Sequence, residues 1–288
     1  MTIELVDTRD AWDEIAEGYD ATNTPTQMWL GNEALRRAGL RAGMRFLDVA
    51  AGSGALAIPA ARLGARVLAT DRSPVMLELL RRRADEEGLA IETRCMDGHA
   101  LALEDASFDM AGSQFGVMLF PDMPKGVAEM ARVVRPGGRV VMIAYGDPHA
   151  IDFIGFFVAA VRTVRPDFDG PPNDPPPLPF QLQDPERLVR ELQAAGLADA
   201  TVETITETTA FRSGDELWEW VIWSNPLPGA LLDELDLSGD ERASVRQALE
   251  GLVRSRAAGS TALLTNPVNI GIGTKGETTR PLRSAHVR

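Results

Sequence analysis

The sequence predicts an α/β fold, a doubly wound and mostly parallel sheet with helices on both faces. Three observations lead there. Short apolar runs alternate with helical stretches over residues 45–145, a glycine-bearing turn follows the first run at once, and polar residues end the first four runs: Asp48, Asp71, Asp97 and Ser113. Strands alternating with helices form a parallel sheet through right-handed crossovers. Ligands bind such sheets beyond the carboxyl ends of the strands, where strand order reverses, so all four residues are expected to face one cleft.

Residues 8–40 read as two amphipathic helices around a polar break, with Trp12, Ile15, Ala16 and Tyr19 at helical spacing. Trp12 and Tyr19 suit either a helix packed on the domain or a lid over a ligand. RFLDVAAGSG, residues 45–54, reads as a strand, a tight turn and a helix start. Gly52 and Gly54 let a ligand approach the backbone, and the free N–H groups of the following helix suit an anion or carboxylate. Asp48 places a negative charge just before that turn. It would repel a pyrophosphate but attract an ammonium group, so an amino-acid zwitterion fits better than a dinucleotide.

The unit then repeats. A helix is expected over 55–63, a strand over 66–70 ending in Asp71, and a helix over 74–87 opened by Ser73-Pro74, a cap followed by an N1 proline. Strands follow over 91–95, ending in Asp97-Gly98, and over 108–112, ending in Ser113-Gln114. A helix over 124–134, closed by an Arg-Pro-Gly-Gly turn, leads to a strand over 139–145 apolar enough to be buried on both faces. Asp71 stands where a ribose-binding acid sits in nucleotide folds, or else caps the next helix. Asp97-Gly98 suits an adenine edge, or a plain turn. Met76 and Met96 suit an adenine face or simple core packing.

Beyond residue 146 come an apolar helix, IDFIGFFVAAV, and a stiff proline-rich loop, GPPNDPPPLP. A helix is expected over 184–195, an alternating strand over 200–211, a helix over 213–223 carrying Trp218, Trp220 and Trp223, a break at Asn225-Pro226, a helix over 240–256 and a strand over 261–272. The expected organisation is N-terminal helices or a lid over 1–40, a ligand-binding core over 41–146, a cap insertion over 147–183, a return to the core over 184–212, a second helical cap over 213–260, a last core strand over 261–274 and a flexible tail over 275–288.

Composition bounds the function. At 288 residues and 44% hydrophobic, the chain supports one large α/β domain with additions. Its net charge of −13 argues against nucleic acid as partner, though not against a nucleotide in a cleft. The single cysteine, Cys95, leaves no intrachain disulfide, and three histidines beside it give no metal-ligand spacing. No stretch reads as a secretory leader, and the apolar run over 153–161 is too short to span a bilayer. A cytoplasmic protein without membrane insertion is expected, its oligomeric state left open.

Taken together the motifs resemble the class I S-adenosylmethionine-dependent methyltransferases, and more narrowly the small-molecule branch, methyltransferase type 11, that includes the ubiquinone and menaquinone biosynthesis type. LDVAAGSG resembles the first motif, whose acid and glycines hold the methionine moiety. TDRSPVML resembles the second, with Asp71 on the ribose, and CMDGHAL the third, with Asp97 near the adenine. FDMAGSQFGVMLF and VVRPGGRVV resemble the later ones. The resemblance covers about residues 10–211 and the last strand. It implies a seven-stranded Rossmann-like sheet whose last strand is antiparallel, S-adenosyl-L-methionine as cofactor with S-adenosyl-L-homocysteine as product, no metal, and a small-molecule acceptor. The cofactor candidates are then Tyr19, Asp48, Ala50, Gly52, Gly54, Asp71, Arg72, Met76, Met96, Asp97, Gly98, Ser113 and Gln114. Ala50 stands where the family often has glycine, which implies less backbone freedom without loss of binding.

The two insertions are placed to roof the cleft and choose the acceptor. Trp29, Phe115, Phe153, Phe157, Phe180, Trp218 and Trp223 are the candidate pocket, favouring an apolar or aromatic acceptor unless these rings only pack a helical subdomain. His149, oriented by Asp147 and preceded by Tyr145, is the candidate base for an acceptor that must lose a proton, with a solvated loop histidine as the other reading. Two further functions stay open. An NAD(P)-dependent oxidoreductase fits the GxGxxA spacing of residues 52–57 but lacks a Tyr-x-x-x-Lys pair, since Lys125 and Lys275 are the only lysines and residues 121 and 271 are proline and glycine. A non-catalytic ligand-binding protein on the same fold is the other.

Overall fold

The computed structural model describes residues 9–170 and 176–276. Strands β1 (Arg45–Val49), β2 (Arg66–Asp71), β3 (Ile91–Cys95), β4 (Phe108–Gln114), β5 (Val134–Tyr145), β6 (Leu197–Phe211) and β7 (Ala262–Lys275) form one sheet in the order β3-β2-β1-β4-β5-β7-β6. β1 to β5 pair in parallel, and β7 runs antiparallel to both its neighbours, β5 and β6. Strand order therefore reverses between β1 and β4. The central strands are apolar on both faces because helices cover both, as Phe46, Leu47, Val49, Val140 and Val141 show by their full or nearly full burial.

Nine helices are described: α1 (Arg9–Arg37), α2 (Ala57–Arg62), α3 (Pro74–Glu86), α4 (Met123–Val133), α5 (Asp152–Val161), α6 (Pro185–Ala194), α7 (Gly214–Ile222), α8 (Pro226–Glu234) and α9 (Gly239–Arg256). Local chemistry starts most of them. Ser73, Asp122, Asp184, Ser213 and Asn225 each accept a hydrogen bond from a first-turn N–H, and Ser238 with Glu241 forms a capping box at α9. Asn225-Pro226 is thus the cap of a further helix, α8, as well as the end of α7. α1 packs on α2 and α3, while α4 packs on α6.

Three expectations change. The N-terminal segment is one 29-residue helix through Pro25, not two. Its polar middle is buried and partnered rather than looped out: Asn23 Nδ2 donates to the Trp220 carbonyl, Thr24 Oγ1 lies 2.5 Å from Ser53 Oγ, and Tyr19 OH donates to Gln27 Oε1. β5 begins at Val134, and the Arg-Pro-Gly-Gly sequence is an irregularity within it, where pairing jumps from Phe108↔Val134 to Met110↔Arg139. Half of the proline-rich stretch (171–175) and most of the supposed tail (277–288) lie outside the described residues. Lys275, however, belongs to β7.

One feature of register positions the site. β5 last pairs with β7 at Tyr145↔Val268, yet β6 and β7 stay paired as far as Phe211↔Ala262. The two strands therefore outrun the carboxyl edge of the sheet as a ribbon. The ribbon buries Glu207, Thr209, Phe211, Leu264 and Asn266 on one face. α5 is fastened to it through Asp152, whose Oδ2 accepts from the Thr265 amide, the Thr265 hydroxyl and Arg256.

Candidate active site

A cleft opens at the carboxyl ends of β1, β2 and β4, where strand order reverses. Of the cofactor candidates, Tyr19, Asp48, Ala50, Gly52, Asp71, Arg72, Met76, Met96, Asp97, Gly98 and Gln114 line it. Gly54 and Ser113 do not. A Cβ at Gly54 would press on Ile58 of α2 and Leu80 of α3, so this glycine, at φ +105°, serves the packing of the turn against those helices. Ser113 Oγ is turned to the Val117 amide, 3.0 Å away, and starts the single turn Val117–Leu119.

Asp48 is fully buried, and neither carboxylate oxygen has a hydrogen-bond partner. Burial, reinforced by the charge of Asp71, pushes its carboxyl well above the ordinary range; the nearby Ala57 amide opposes this without reaching hydrogen-bond geometry. Asp71 is differently placed. Its Oδ2 accepts from Gly52 N at 2.8 Å and its Oδ1 from Ser73 N at 2.9 Å. Burial raises its carboxyl and these N–H groups pull the other way. Asp71 therefore fastens the glycine turn to β2 besides facing the cleft. Asp71→Asn is expected to lower stability by about 1 to 3 kcal/mol, because an amide must turn its NH2 toward one of two N–H donors. A denaturation midpoint equal to wild type would show that the carboxylate does not hold the turn.

Ala50 adopts φ +54° at the start of the turn, the left-handed conformation that explains glycine there in the family it resembles. Its Cβ is accommodated by a second glycine, since a Cβ on Gly116 would lie 2.6 Å from it. Asp97 stays near the rim. Burial pushes it up, but the backbone and ring nitrogens of His99, both bonded to Oδ1, outweigh this and hold it below the usual range. Gly98 serves ring packing, because a Cβ there would meet Phe120 at 2.5 Å.

Several cleft residues were missed: Trp12, Ala51, Ala55, Leu56, His99, Gly116, Leu119 and Phe120. His99 and Phe120 stack 4.4 Å apart as one wall, and Trp12 meets Tyr19 edge-on at 6.0 Å. Only Trp12 carried a signal, its helical spacing to Tyr19. The rings pack on Met76 and Leu79 of α3, as the packed-helix reading expects, and also line the cleft. Salt-bridge contact of Arg83 with Asp20 and a Ser73–Asp13 hydrogen bond tie α1 down at this place.

A second, almost wholly apolar cavity lies under the insertions, lined by Tyr145, Phe153, Phe157, Phe180, Val221, Leu231 and neighbours. Phe115 and Tyr145, stacked 4.4 Å apart, separate the two spaces: Phe115 lines the first and Tyr145 the second. Phe115 holds φ +54°, a strained conformation for a bulky residue at a cleft wall. Phe115 thus belongs to the first cleft rather than to the second cavity. Trp29, Trp218 and Trp223 line neither. Trp29 is 54% exposed on α1, Trp218 lies beneath Arg246 of α9, and Trp223 packs on Gly18 and donates to Glu219. His149 is also misplaced by the sequence reading. Asp147 caps the turn Pro148–Ala150 through the His149 amide, and the exposed residue lines neither cavity.

Residues 47–142 match a family model described as a methyltransferase domain. Over this third of its length the chain is similar to a methyltransferase domain. Over 146 residues it is 38% identical to an uncharacterized protein of Mycobacterium tuberculosis, covering 50% of this chain and 52% of that protein. Over 143 residues it is 37% identical to demethylmenaquinone methyltransferase of Clavibacter sepedonicus, covering 48% and 57%. The chain thus spans about half the length of these curated relatives. Among solved structures, the YcgJ protein of Bacillus subtilis superposes with TM-score 0.54 at 18% identity, covering 88% of this chain and 99% of that one. Phosphoethanolamine N-methyltransferase 2 of Haemonchus contortus, in complex with S-adenosyl-L-methionine, superposes with TM-score 0.52 at 21% identity over 86% and 53%. These likenesses establish the methyltransferase fold. No helix of the described residues is long and apolar enough to cross a membrane.

Proposed function

We propose that the protein transfers a methyl group from S-adenosyl-L-methionine to a small molecule with an apolar or aromatic body. Asp48 carries the reading. A buried carboxyl without a partner is costly, and an ammonium group entering the cleft supplies the missing partner, whereas a pyrophosphate would add like charge. When bound, the sulfonium cofactor supplies a methyl already activated for transfer. The chain's own residues hold and orient. Asp48 takes the ammonium group, and Asp71, with a lone pair left on each oxygen, takes ribose hydroxyls. Met76, Met96 and Phe120 flank the base, with Asp97 at its amino edge. Helix α1 roofs this site and the insertions bearing α5, α7 and α8 enclose the acceptor, excluding water from the line between the two spaces. The demethylmenaquinone methyltransferase relatives support an acceptor of this kind.

Calorimetry tests the cofactor. Saturable binding of S-adenosyl-L-homocysteine is expected, with no response to NADH; the reverse would sink the proposal. A screen of aromatic hydroxyl and amine compounds for S-adenosyl-L-homocysteine release then tests turnover. Binding without turnover on any of them would mark a non-catalytic protein on the same fold.

A further inference from the structure

The ribbon of β6 and β7 carries a polar pair that the cofactor does not need. Glu207 and Asn266 are cross-strand partners, 2% and 1% exposed, joined by a 3.3 Å hydrogen bond from Asn266 Nδ2 to Glu207 Oε2. Glu207 Oε1 and Asn266 Oδ1 are buried with no hydrogen-bond partner. Two unsatisfied acceptors side by side on an inward face are expensive, and nothing in the sheet pairing requires them.

Their place ties them to the acceptor side. The pair lies just past the end of β5, where Tyr145 pairs with Val268 and Gly146 N donates to Pro267 O. On the same inward face, Phe211 meets Trp220 of α7, which meets Phe153 of α5, a lining residue of the apolar cavity. The Glu207 charge acts on the titration of Tyr145, which lines that cavity, and of Tyr19, which lines the cofactor cleft. These two phenols are the titratable groups that face it from β5 and α1. Glu207 therefore lies just beyond Tyr145, close to both spaces, and in the ligand-free structure neither it nor Asn266 lines either one.

We infer that Glu207 and Asn266 form the polar end of the acceptor site, two adjacent hydrogen-bond acceptors that select a molecule bearing a hydroxyl or amine donor on an apolar body. The inference rests on the proposed methyl transfer and deepens it by naming the acceptor class. A donor entering from the apolar cavity satisfies Glu207 Oε1 and Asn266 Oδ1 together. A fully apolar ligand leaves both orphaned, and an anionic one meets the carboxyl of Glu207. Burial pushes that carboxyl up to about 7, so it ionises across neutral pH and becomes the stronger acceptor above it.

The test compares 2-naphthol with its methyl ether, 2-methoxynaphthalene, binding to the full chain saturated with S-adenosyl-L-homocysteine. 2-Naphthol is expected to bind about tenfold tighter than the ether at about pH 8, the size of one hydrogen bond to a charged group, and to lose most of that advantage at about pH 5.5. In Glu207→Gln the pH dependence disappears while S-adenosyl-L-homocysteine binds as before, and in Asn266→Ala the preference for the naphthol shrinks. Failure of S-adenosyl-L-homocysteine to bind the wild-type protein would overturn the methyl-transfer reading itself. Normal binding of that product, with 2-naphthol no better than the ether or unchanged in Glu207→Gln, would overturn this inference alone.

Discussion

Asp48→Asn is expected to make the ligand-free protein more stable and the ligand-bound one much weaker. The carboxyl is fully buried at the end of β1 and unpartnered, and both its burial and Asp71 disfavour its charge. An amide of the same shape leaves its polar atoms as unpartnered as before but never ionises, so unfolding free energy at neutral pH should rise by about 1.4 kcal/mol for each pH unit by which burial raises the carboxyl. The same change removes the unpartnered carboxylate beside the glycine turn, whereas the oxygens of Asp71 already accept from Gly52 and Ser73. Truncating one member of a buried charge pair costs about 2 to 5 kcal/mol, so S-adenosyl-L-homocysteine should bind about thirtyfold to several thousandfold more weakly. Thermal melts and calorimetry on the same variant read the two halves. A lower melting temperature would mean that Asp48 supports the fold. Unchanged affinity would mean that the ammonium group lies elsewhere.

The opposition between stability and binding at Asp48 also explains what was legible in the sequence. Asp48, Asp71 and the glycine turn were readable because a strand, a tight turn and a helix start are local: four or five residues determine where each side chain points. The elements that failed depend on distant partners. TNTPTQ looks like a break in α1 because its polar residues suit a loop, yet Thr24 and Asn23 find Ser53 and Trp220, and a buried polar group with a partner is no obstacle to a helix. Trp218 and Trp220 point to different sides of α7, Trp223 is its C-cap, and no local signal says which one turns inward. Trp220, the one left out of the candidate pocket, meets Phe153 and Phe211, while Trp218 and Trp223 pack against α9 and α1. Glu207 was invisible for a related reason. In β6 a glutamate among threonines reads as a solvent face, and only the register with β7 shows that this part of the strand has passed the sheet edge and turned its face inward.

The pH dependence of stability isolates Glu207. Its carboxyl is raised by burial from the ordinary 4.5 to about 7, with the Asn266 donor pulling weakly the other way. A carboxyl whose folded value lies above its unfolded value favours the folded state while protonated. That contribution is fully present below about 4.5 and is lost as pH rises through about 7. At about 1.4 kcal/mol for each pH unit between the two values, the loss approaches about 3 kcal/mol by pH 8, or a fall in melting temperature on the order of 6 °C or more. Asp48 and Asp71 are raised in the same direction and tilt the stability curve as well. The informative quantity is therefore the difference between wild type and Glu207→Gln, in which those two carboxyls are common. Denaturation of both proteins from pH 4.5 to pH 8 should show Glu207→Gln gaining on wild type by about 3 kcal/mol across that window. Curves that stay parallel would show that Glu207 titrates as an ordinary carboxylate and is reached by water in the ligand-free protein. Such a result would remove the electrostatic cost that makes a hydrogen-bond donor in the acceptor site worth binding.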